Sequence, residues 1–282
     1  MRNWGIRANS QFLNSEFLNW FIMVRVQKVR KVFKKGTIDE KVAIDGITLH
    51  VQEGDFVTVI GSNGAGKTTL LNLIAGTYSS DEGEIFIDHH CVTRLPEHRR
   101  AKYLGRIFQN PLMGTASSMS IEENLSMADL RGKRRGLHWG VSKSRRDFYR
   151  ETLKVLDLGL EARLKDSVSL LSGGQRQSLT LLMATLSIPK LLLLDEHTAA
   201  LDPRTAQRVI ELTERIVREN HLTTIMVTHN MQQAIRYGNR MIMLHEGKVK
   251  FDIHGEEKQA LTVEEVVKRF GADLKDEALL CA

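Results

Sequence analysis

The chain has 282 residues, which is enough for one large domain or two modest ones with a real core. Its hydrophobic content of 42% is typical of a globular protein, no run approaches the ~20 apolar residues of a membrane-spanning helix, and two cysteines exclude a disulfide framework. The net charge of +6 gives little support to nucleic-acid binding, because residues 131–150 alone hold eight Lys or Arg against one Asp and the rest is nearly neutral.

Residues 1–22 precede the first predicted strand, which lies at 24–27. This segment is too polar and short for a spanning helix and lacks a signal-peptide cleavage pattern. It is either an upstream extension, which we expect to be disordered, or an amphipathic helix lying on a membrane; we favour the extension. We expect a single domain over 23–270, with a helical insertion at about 111–175 and a tail at 271–282.

A nearly continuous apolar run at 55–60 predicts a buried strand, and a glycine-rich loop and a helix at 68–75 follow it directly. The loop residues and the next position are Gly61, Ser62, Asn63, Gly64, Ala65, Gly66, Lys67, Thr68 and Thr69. Glycines let the backbone N–H groups approach phosphate oxygens, and the helix N-terminus adds positive potential. This P-loop predicts ATP binding, with Lys67 on the β- and γ-phosphates and the Thr68 hydroxyl on Mg²⁺.

From residue 111 to about 170 the pattern changes to helices with polar connections, and the basic stretch lies within it. Two interpretations remain open for residues 131–150. They form a solvated helix face, or they form a patch that faces anionic lipid headgroups or an acidic partner surface.

Two further motifs follow the insertion. Residues 171–175 read Leu-Ser-Gly-Gly-Gln at the predicted start of a helix. An apolar strand at 191–194 then ends in Asp195 and Glu196, at the strand edge where ligands bind in open α/β sheets. We predict that Asp195 holds Mg²⁺, usually through water, and that Glu196 is the general base for the attacking water.

Together these motifs resemble those of the ATPase subunit of an ATP-binding-cassette (ABC) transporter, and six motifs in the order of that family span about 23–270. The resemblance implies an α/β fold: a P-loop NTPase core with a RecA-like mixed or parallel sheet, an antiparallel β subdomain and an α-helical insertion. Two positions depart from the commonest family pattern. His197 stands where proline usually follows the glutamate, and Asn230 stands where aspartate often follows the switch histidine.

The resemblance also implies roles for single residues. Gln109 would contact Mg²⁺ or the water nucleophile and sense the nucleotide, and His229 would bond the γ-phosphate and orient Glu196. Asp202 matches the loop that crosses the dimer interface, and it also caps a helix that begins at a proline. Phe33 is the best candidate for stacking on the adenine, with core packing as the rival interpretation.

Residues Ser172, Gly173, Gly174 and Gln175 match the family signature. In the family, this helix terminus completes the nucleotide site of the opposite subunit, so that a head-to-tail dimer encloses two ATP molecules. The resemblance therefore implies a second copy of the chain as a partner.

The resemblance also implies a peripheral subunit on the cytoplasmic face of the inner membrane, bound to transmembrane permease subunits. The sequences at 195–198 and 227–230 are most like those of importers that use an external solute-binding protein. An amino acid or similar small organic solute is therefore the expected cargo. The alternatives are the ATPase of an exporter and a soluble ABC assembly without a transport role. No nucleic-acid partner is expected.

Overall fold

The computed structural model describes residues 21–133 and 141–270. The strands are β1 Ile22–Phe33, β2 Lys41–Gln52, β3 Phe56–Ile60, β4 Glu82–Ile87, β5 His90–Cys91, β6 Leu104–Ile107, β7 Leu191–Asp195, β8 Thr223–Val227, β9 Arg240–His245 and β10 Lys248–His254. The helices are α1 Lys67–Ala75, α2 Glu97–Arg100, α3 Ile121–Asp129, α4 Lys143–Leu153, α5 Gly173–Thr185, α6 Pro203–Glu219, α7 Met231–Arg236, α8 Gly255–Gln259 and α9 Val263–Phe270.

The core is a six-stranded sheet in the order β10-β9-β3-β8-β7-β6. All neighbouring strands run parallel except β10, which is antiparallel to β9. Every residue of β3, β7 and β8 is buried, as their continuous apolar sequences require of strands covered on both faces. The carboxyl ends of β3 and β7 therefore bring the P-loop and Glu196 to the same edge of the sheet.

A second sheet is antiparallel, in the order β2-β1-β4-β5. Its first strand extends from Ile22 to Phe33, far beyond the predicted 24–27. It pairs with β2 on one side and β4 on the other, and irregularities in the register near Lys28, whose φ is +46°, let the strand continue past its polar residues. The α/β fold with an antiparallel β subdomain is confirmed.

The helical region between β6 and β7 packs around a cluster of buried apolar side chains. Leu125 of α3, Tyr149 and Leu153 of α4, and Leu179 of α5 belong to this cluster. Asn124 is fully buried beside it, and its side-chain amide donates to the carbonyls of Ala116, Met119 and Ser120. Helices α3 and α4 begin at serine N-caps, as helices in a polar surface region commonly do.

Several basic side chains of the described part of the stretch contact neighbouring polar groups. Arg146 donates two hydrogen bonds to the Glu122 carboxylate, at 2.6 and 3.0 Å. Arg145 lies 3.9 Å and Lys133 lies 2.9 Å from Asp129, while Arg131 binds the main-chain carbonyl of Ala184 and the Ser187 hydroxyl. These contacts leave α4 less cationic than its sequence suggests, so both interpretations of the stretch stay open.

Several predictions concern residues outside the described ranges. Residues 1–20 of the predicted extension, 134–140 of the basic stretch and the tail 271–282 are among them. No helix within 21–133 and 141–270 is long and apolar enough to cross a membrane.

Candidate functional site

The P-loop depends on glycines at two tightly packed positions. Gly61 has φ +147°, and a Cβ built there would lie 2.2 Å from the Leu244 carbonyl oxygen. Gly66 has φ +102°, and a Cβ there would lie 2.6 Å from the Ala43 carbonyl oxygen. Any larger residue at either position would displace backbone, so the loop conformation requires glycine.

Lys67 is buried at the start of α1, with its side chain curled beneath the loop. Its Nζ donates to the main-chain carbonyls of Gly61 at 2.7 Å and Ser62 at 3.1 Å. The ammonium therefore lies inside the anion cradle that the loop N–H groups and the helix N-terminus form.

A cavity of about 210 Å³ opens over this loop. Its lining residues are Phe33, Lys41, Ala43, Asn63, Gly64, Ala65, Gly66, Lys67, Thr68, Thr69 and Glu196. Phe33 is partly buried and meets Tyr78 edge to face, with ring centroids 5.2 Å apart. Its ring thus packs against the protein and lines the cavity at once, so the two sequence interpretations of Phe33 are compatible.

Two oxygen-bearing side chains, those of Thr68 and Asp195, lie next to each other at the P-loop. The Thr68 hydroxyl donates to Asp195 Oδ1 at 3.2 Å, and the guanidinium of Arg106 lies 3.7 Å from Asp195 Oδ2. Burial raises the pKa of Asp195, while Arg106 and Thr68 oppose that rise. A hydroxyl and one carboxylate are the hard donors that Mg²⁺ takes together with substrate phosphates, so these residues fit that ion.

Glu196 is held between two polar side chains at the end of β7. Gln109 Nε2 donates to Glu196 Oε2 at 3.1 Å, and His229 Nδ1 lies 3.4 Å from the same oxygen. The contact with His229 lowers the pKa of Glu196 and raises that of His229. Gln109 is thus directed at Glu196, and no hydrogen bond joins it to Thr68 or Asp195. Glu196 itself has φ +45°, an uncommon conformation for this residue type.

The signature residues form a separate surface. Ser172 caps α5, and its side chain and that of Gln175 satisfy each other's backbone N–H groups in a capping box. A Cβ on Gly174 would lie 2.1 Å from Thr205 Cγ2, which fixes the close approach of α5 to α6. Asp202 caps α6 by accepting from the Thr205 N–H, as the sequence predicts. Within the described residues, 171–175 contribute nothing to the P-loop cavity.

Sequence reasoning missed two side chains that support the site. Arg106 lies on β6 and donates to Asn72 Oδ1 at 2.6 Å as well as facing Asp195. An arginine within a buried strand is a usable signal, because a buried charge requires a partner. His197 is fully buried against Thr213, and burial lowers its pKa to about 4, so it is neutral. Its position directly after Glu196 was a usable signal, although no chemical role was predicted for it.

Comparison with known proteins identifies the family. The family model described as ABC transporter matches residues 44–199. The chain is 44% identical over 248 residues to the "Tyrosine transport ATP-binding protein" of Clostridioides difficile (strain R20291), covering 88% of this chain and 98% of that protein. It is 33% identical to the "Methionine import ATP-binding protein MetN" of Rhodopseudomonas palustris (strain BisA53), covering 88% of this chain and 65% of that one.

Solved structures agree. The dimeric structure of the ATP-binding cassette MJ0796, in a post-hydrolysis state bound to ADP and Pi, superposes with a TM-score of 0.71 at 30% identity, covering 82% of this chain and 98% of that one. A P-loop cavity lined by Glu196, on a fold and sequence shared with these proteins, leaves one assignment. The chain belongs to the ABC transporter family, as its ATP-binding, ATP-hydrolysing subunit.

Proposed function

We propose that this ATPase subunit of an ABC importer hydrolyses ATP between two copies of itself to drive amino-acid uptake, with tyrosine as the first candidate cargo. The observation that carries the mechanism is the placement of Glu196 between Gln109 and His229, facing the P-loop cavity. The cargo proposal is supported by the 44% identity to a tyrosine transport protein over 98% of that relative's length.

In this proposal Glu196 is the general base. Its lowered pKa keeps it ionised at neutral pH, so it accepts a hydrogen bond from water. It takes a proton from this water as the water oxygen bonds the γ-phosphorus and the bond from the γ-phosphorus to the β,γ-bridging oxygen breaks, which releases ADP and phosphate. Gln109 and His229 both contact Oε2 of the carboxylate and limit its rotation. Lys67 neutralises charge on the β- and γ-phosphates.

Thr68 and Asp195 would hold Mg²⁺, with Gln109 as a further candidate ligand. When bound, the ion would screen the phosphate charge and polarise the γ-phosphoryl group. The raised pKa of Asp195 is consistent with a carboxylate that is costly to keep charged without a cation beside it. Arg106 supplies part of that compensation from the protein itself.

Residues 171–175 do not line the P-loop cavity of the described chain, and in this proposal dimerisation supplies them from a second copy. Ser172 and Gly173 are exposed at the N-terminus of α5, and this end of the helix attracts anions. We propose that these residues, with Gly174, Gln175 and Asp202, close over the nucleotide of the second copy in a head-to-tail dimer. The dimeric MJ0796 cassette supports this arrangement.

A groove lined in part by Arg106 and Gly114 is the proposed docking place for the permease subunits. It has a volume of about 310 Å³ and includes Gly114, Met127, Thr180 and Met183 in its lining. Leu112, 53% exposed, and Met113, 66% exposed, project from the adjoining short helix Pro111–Gly114. Such an apolar rim suits an amphipathic helix of a partner. An external solute-binding protein and a peripheral position on the cytoplasmic face complete the proposal.

Replacing Glu196 tests the mechanism. The variant Glu196→Gln keeps the size and hydrogen-bonding reach of the side chain and removes its basicity, so we expect turnover to fall by about 10²-fold or more. ATP binding should persist, and the dimer should become easier to isolate with ATP. The measurements are phosphate release and size-exclusion chromatography with ATP and Mg²⁺.

The matched control is Glu219→Gln, which neutralises an exposed carboxylate at the end of α6. It should hydrolyse ATP at the unmodified rate. Normal turnover by Glu196→Gln would remove the base assignment. The cargo is tested separately, by tyrosine-dependent stimulation of ATP hydrolysis in proteoliposomes that contain the permease and binding protein, with methionine as the comparison.

A further inference from the structure

Gln177 stands in the first two turns of α5, five residues after the helix cap, and is completely buried. Its side-chain amide nitrogen donates to two main-chain carbonyls, at 2.7 Å to His197 and 3.3 Å to Phe108. One short side chain therefore ties three segments together: the signature helix, the end of β6 and the end of β7.

Both carbonyls belong to residues next to the proposed catalytic pair. Phe108 precedes Gln109, and His197 follows Glu196. The two catalytic side chains meet at 3.1 Å, between Gln109 Nε2 and Glu196 Oε2. Because the Gln177 amide holds the backbone on both sides of this contact, it limits how far the two side chains can separate.

The His197 segment is fixed by a second contact that acts in the same direction. The Thr213 hydroxyl donates to the Val209 carbonyl at 2.8 Å and lies 3.2 Å from His197 Nε2, with which it shares a hydrogen bond. Thr213 anchors the side chain of His197 and Gln177 anchors its carbonyl, which restrains Glu196 in its uncommon backbone conformation at φ +45°.

The side-chain oxygen of Gln177 indicates that this glutamine is not present for packing alone. Gln177 Oε1 is buried and has no hydrogen-bond partner among the described residues. A buried polar atom without a partner lowers stability, and an apolar side chain of similar size would avoid that cost. The two bonds from Nε2 are what the amide contributes here.

We propose that Gln177 is a positioning residue for hydrolysis, which keeps Gln109 and Glu196 in contact and connects that pair to the signature helix. The inference rests on the proposed function of Glu196. Its physical content is that one side chain of the signature helix restrains the separation of Gln109 and Glu196.

The test is Gln177→Met in the full-length chain, since methionine keeps the length of the side chain and removes both hydrogen bonds. We expect kcat to fall by roughly 10- to 100-fold, because a displacement on the order of 1 Å at a reacting group has effects of that size. The KM for ATP and the number of ADP-binding sites should change less than about twofold, because no P-loop contact is lost.

Asn124→Leu is the matched control. Asn124 is an equally buried amide that bonds main-chain carbonyls, but all of them lie in the helical region. It should lower the unfolding temperature and leave kcat per ADP-binding site unchanged. If Gln177→Met also leaves kcat per ADP-binding site unchanged, the inference is wrong.

Gln177→Asn covers the case in which the methionine variant does not fold. It keeps the amide but is one methylene shorter, so it reaches at most one of the two carbonyls, and kcat should lie between those of the unmodified protein and the methionine variant. An unmodified kcat would overturn the inference. The outcome is separable from that of Glu196→Gln: normal turnover there removes the proposed base, whereas loss there with normal Gln177 variants removes the positioning role alone.

Discussion

The P-loop side and the signature side of this chain differ in how far their proposed functional side chains contact one another. On the P-loop side the functional side chains contact each other: Thr68 bonds Asp195, and Gln109 and His229 both meet Glu196. On the signature side, Ser172 and Gly173 are exposed at a helix end and meet none of these groups. One half of the proposed site is assembled within the chain, and the other half is exposed at the surface.

The two helix N-termini show the same difference. Helix α1 begins at Gly66, in a left-handed conformation, with no side-chain cap. A helix N-terminus without a side-chain cap attracts anions, as at other phosphate sites. Helix α5 begins with a complete capping box, in which Ser172 and Gln175 satisfy one N–H group each. A capped helix keeps its shape without a ligand. This property suits the proposed contact of this helix end with the nucleotide bound by a second copy.

The largest expected effect comes from inactivating the P-loop half and the signature half of the proposed nucleotide site in turn. Lys67→Met should abolish tight nucleotide binding and turnover, because it removes the buried cation of the cradle. Ser172→Asp retains a good N-cap but adds an anion, so it should bind ADP normally and lose turnover by about 10²-fold. Mixing the two proteins should restore activity, to about a quarter of the unmodified rate for random pairing of independent sites.

Ser142→Asp is the control for Ser172→Asp, because Ser142 is also an exposed N-cap serine, on α4 in the helical region. It should leave turnover unchanged. The measurement is phosphate release from the two variants alone and combined, over a range of dilutions. Activity that does not return on mixing would contradict a site built from two copies.

A smaller effect is expected within the signature itself, where two adjacent glycines differ in their surroundings. A Cβ at Gly174 would lie 2.1 Å from Thr205 Cγ2, whereas the nearest atom to a Cβ at Gly173 is Leu201 Cδ2 at 3.4 Å. Gly174→Ala should therefore lower the free energy of unfolding by about 1–3 kcal/mol.

Gly173→Ala is its control and should change that free energy by less than about 1 kcal/mol, with higher helix propensity as a favourable contribution. Chemical denaturation of both variants gives the comparison. Equal destabilisation would mean that α5 and α6 pack more loosely at Gly174 than the structure indicates.

Local motifs made much of this architecture predictable. The apolar strand β3 and the P-loop are adjacent in sequence, so pattern and turn chemistry are enough to place them. Helix α8 was missed because residues 255–259 carry no apolar periodicity. Its stability depends on tertiary contacts such as that of the buried Lys258 ammonium with the carbonyls of Tyr237 and Gly238.

The supporting contacts of the site were not predictable in the same way. Arg106 and Asp195 are 89 positions apart, and Gln177 reaches Phe108 across 69 positions. Such pairings follow from strand order and helix packing rather than from local pattern. The spacing of motifs predicts which residue types reach the edge of the sheet, while the fold decides which of them touch.

The smallest expected effect is that of His229→Ala, which distinguishes a charge contribution of His229 to stability from a packing contribution. The pKa of His229 is raised above its ordinary 6.5, so its stabilising charge is present below about pH 6.5 and is lost as pH rises through the higher folded value. The pKa of Glu196 is lowered from 4.5, so its contribution is present above about pH 4.5 and is lost as pH falls through the lower folded value.

The pair therefore contributes most between about pH 4.5 and 6.5. We expect His229→Ala to lower the free energy of unfolding by less than about 1 kcal/mol near pH 6, because the imidazole is 44% exposed, and by less still near pH 8.5. Thermal unfolding at both pH values measures the difference, with His98→Ala as the control for an exposed histidine outside the site. A larger loss at pH 8.5 than at pH 6 would show that His229 supports Glu196 by packing rather than by charge.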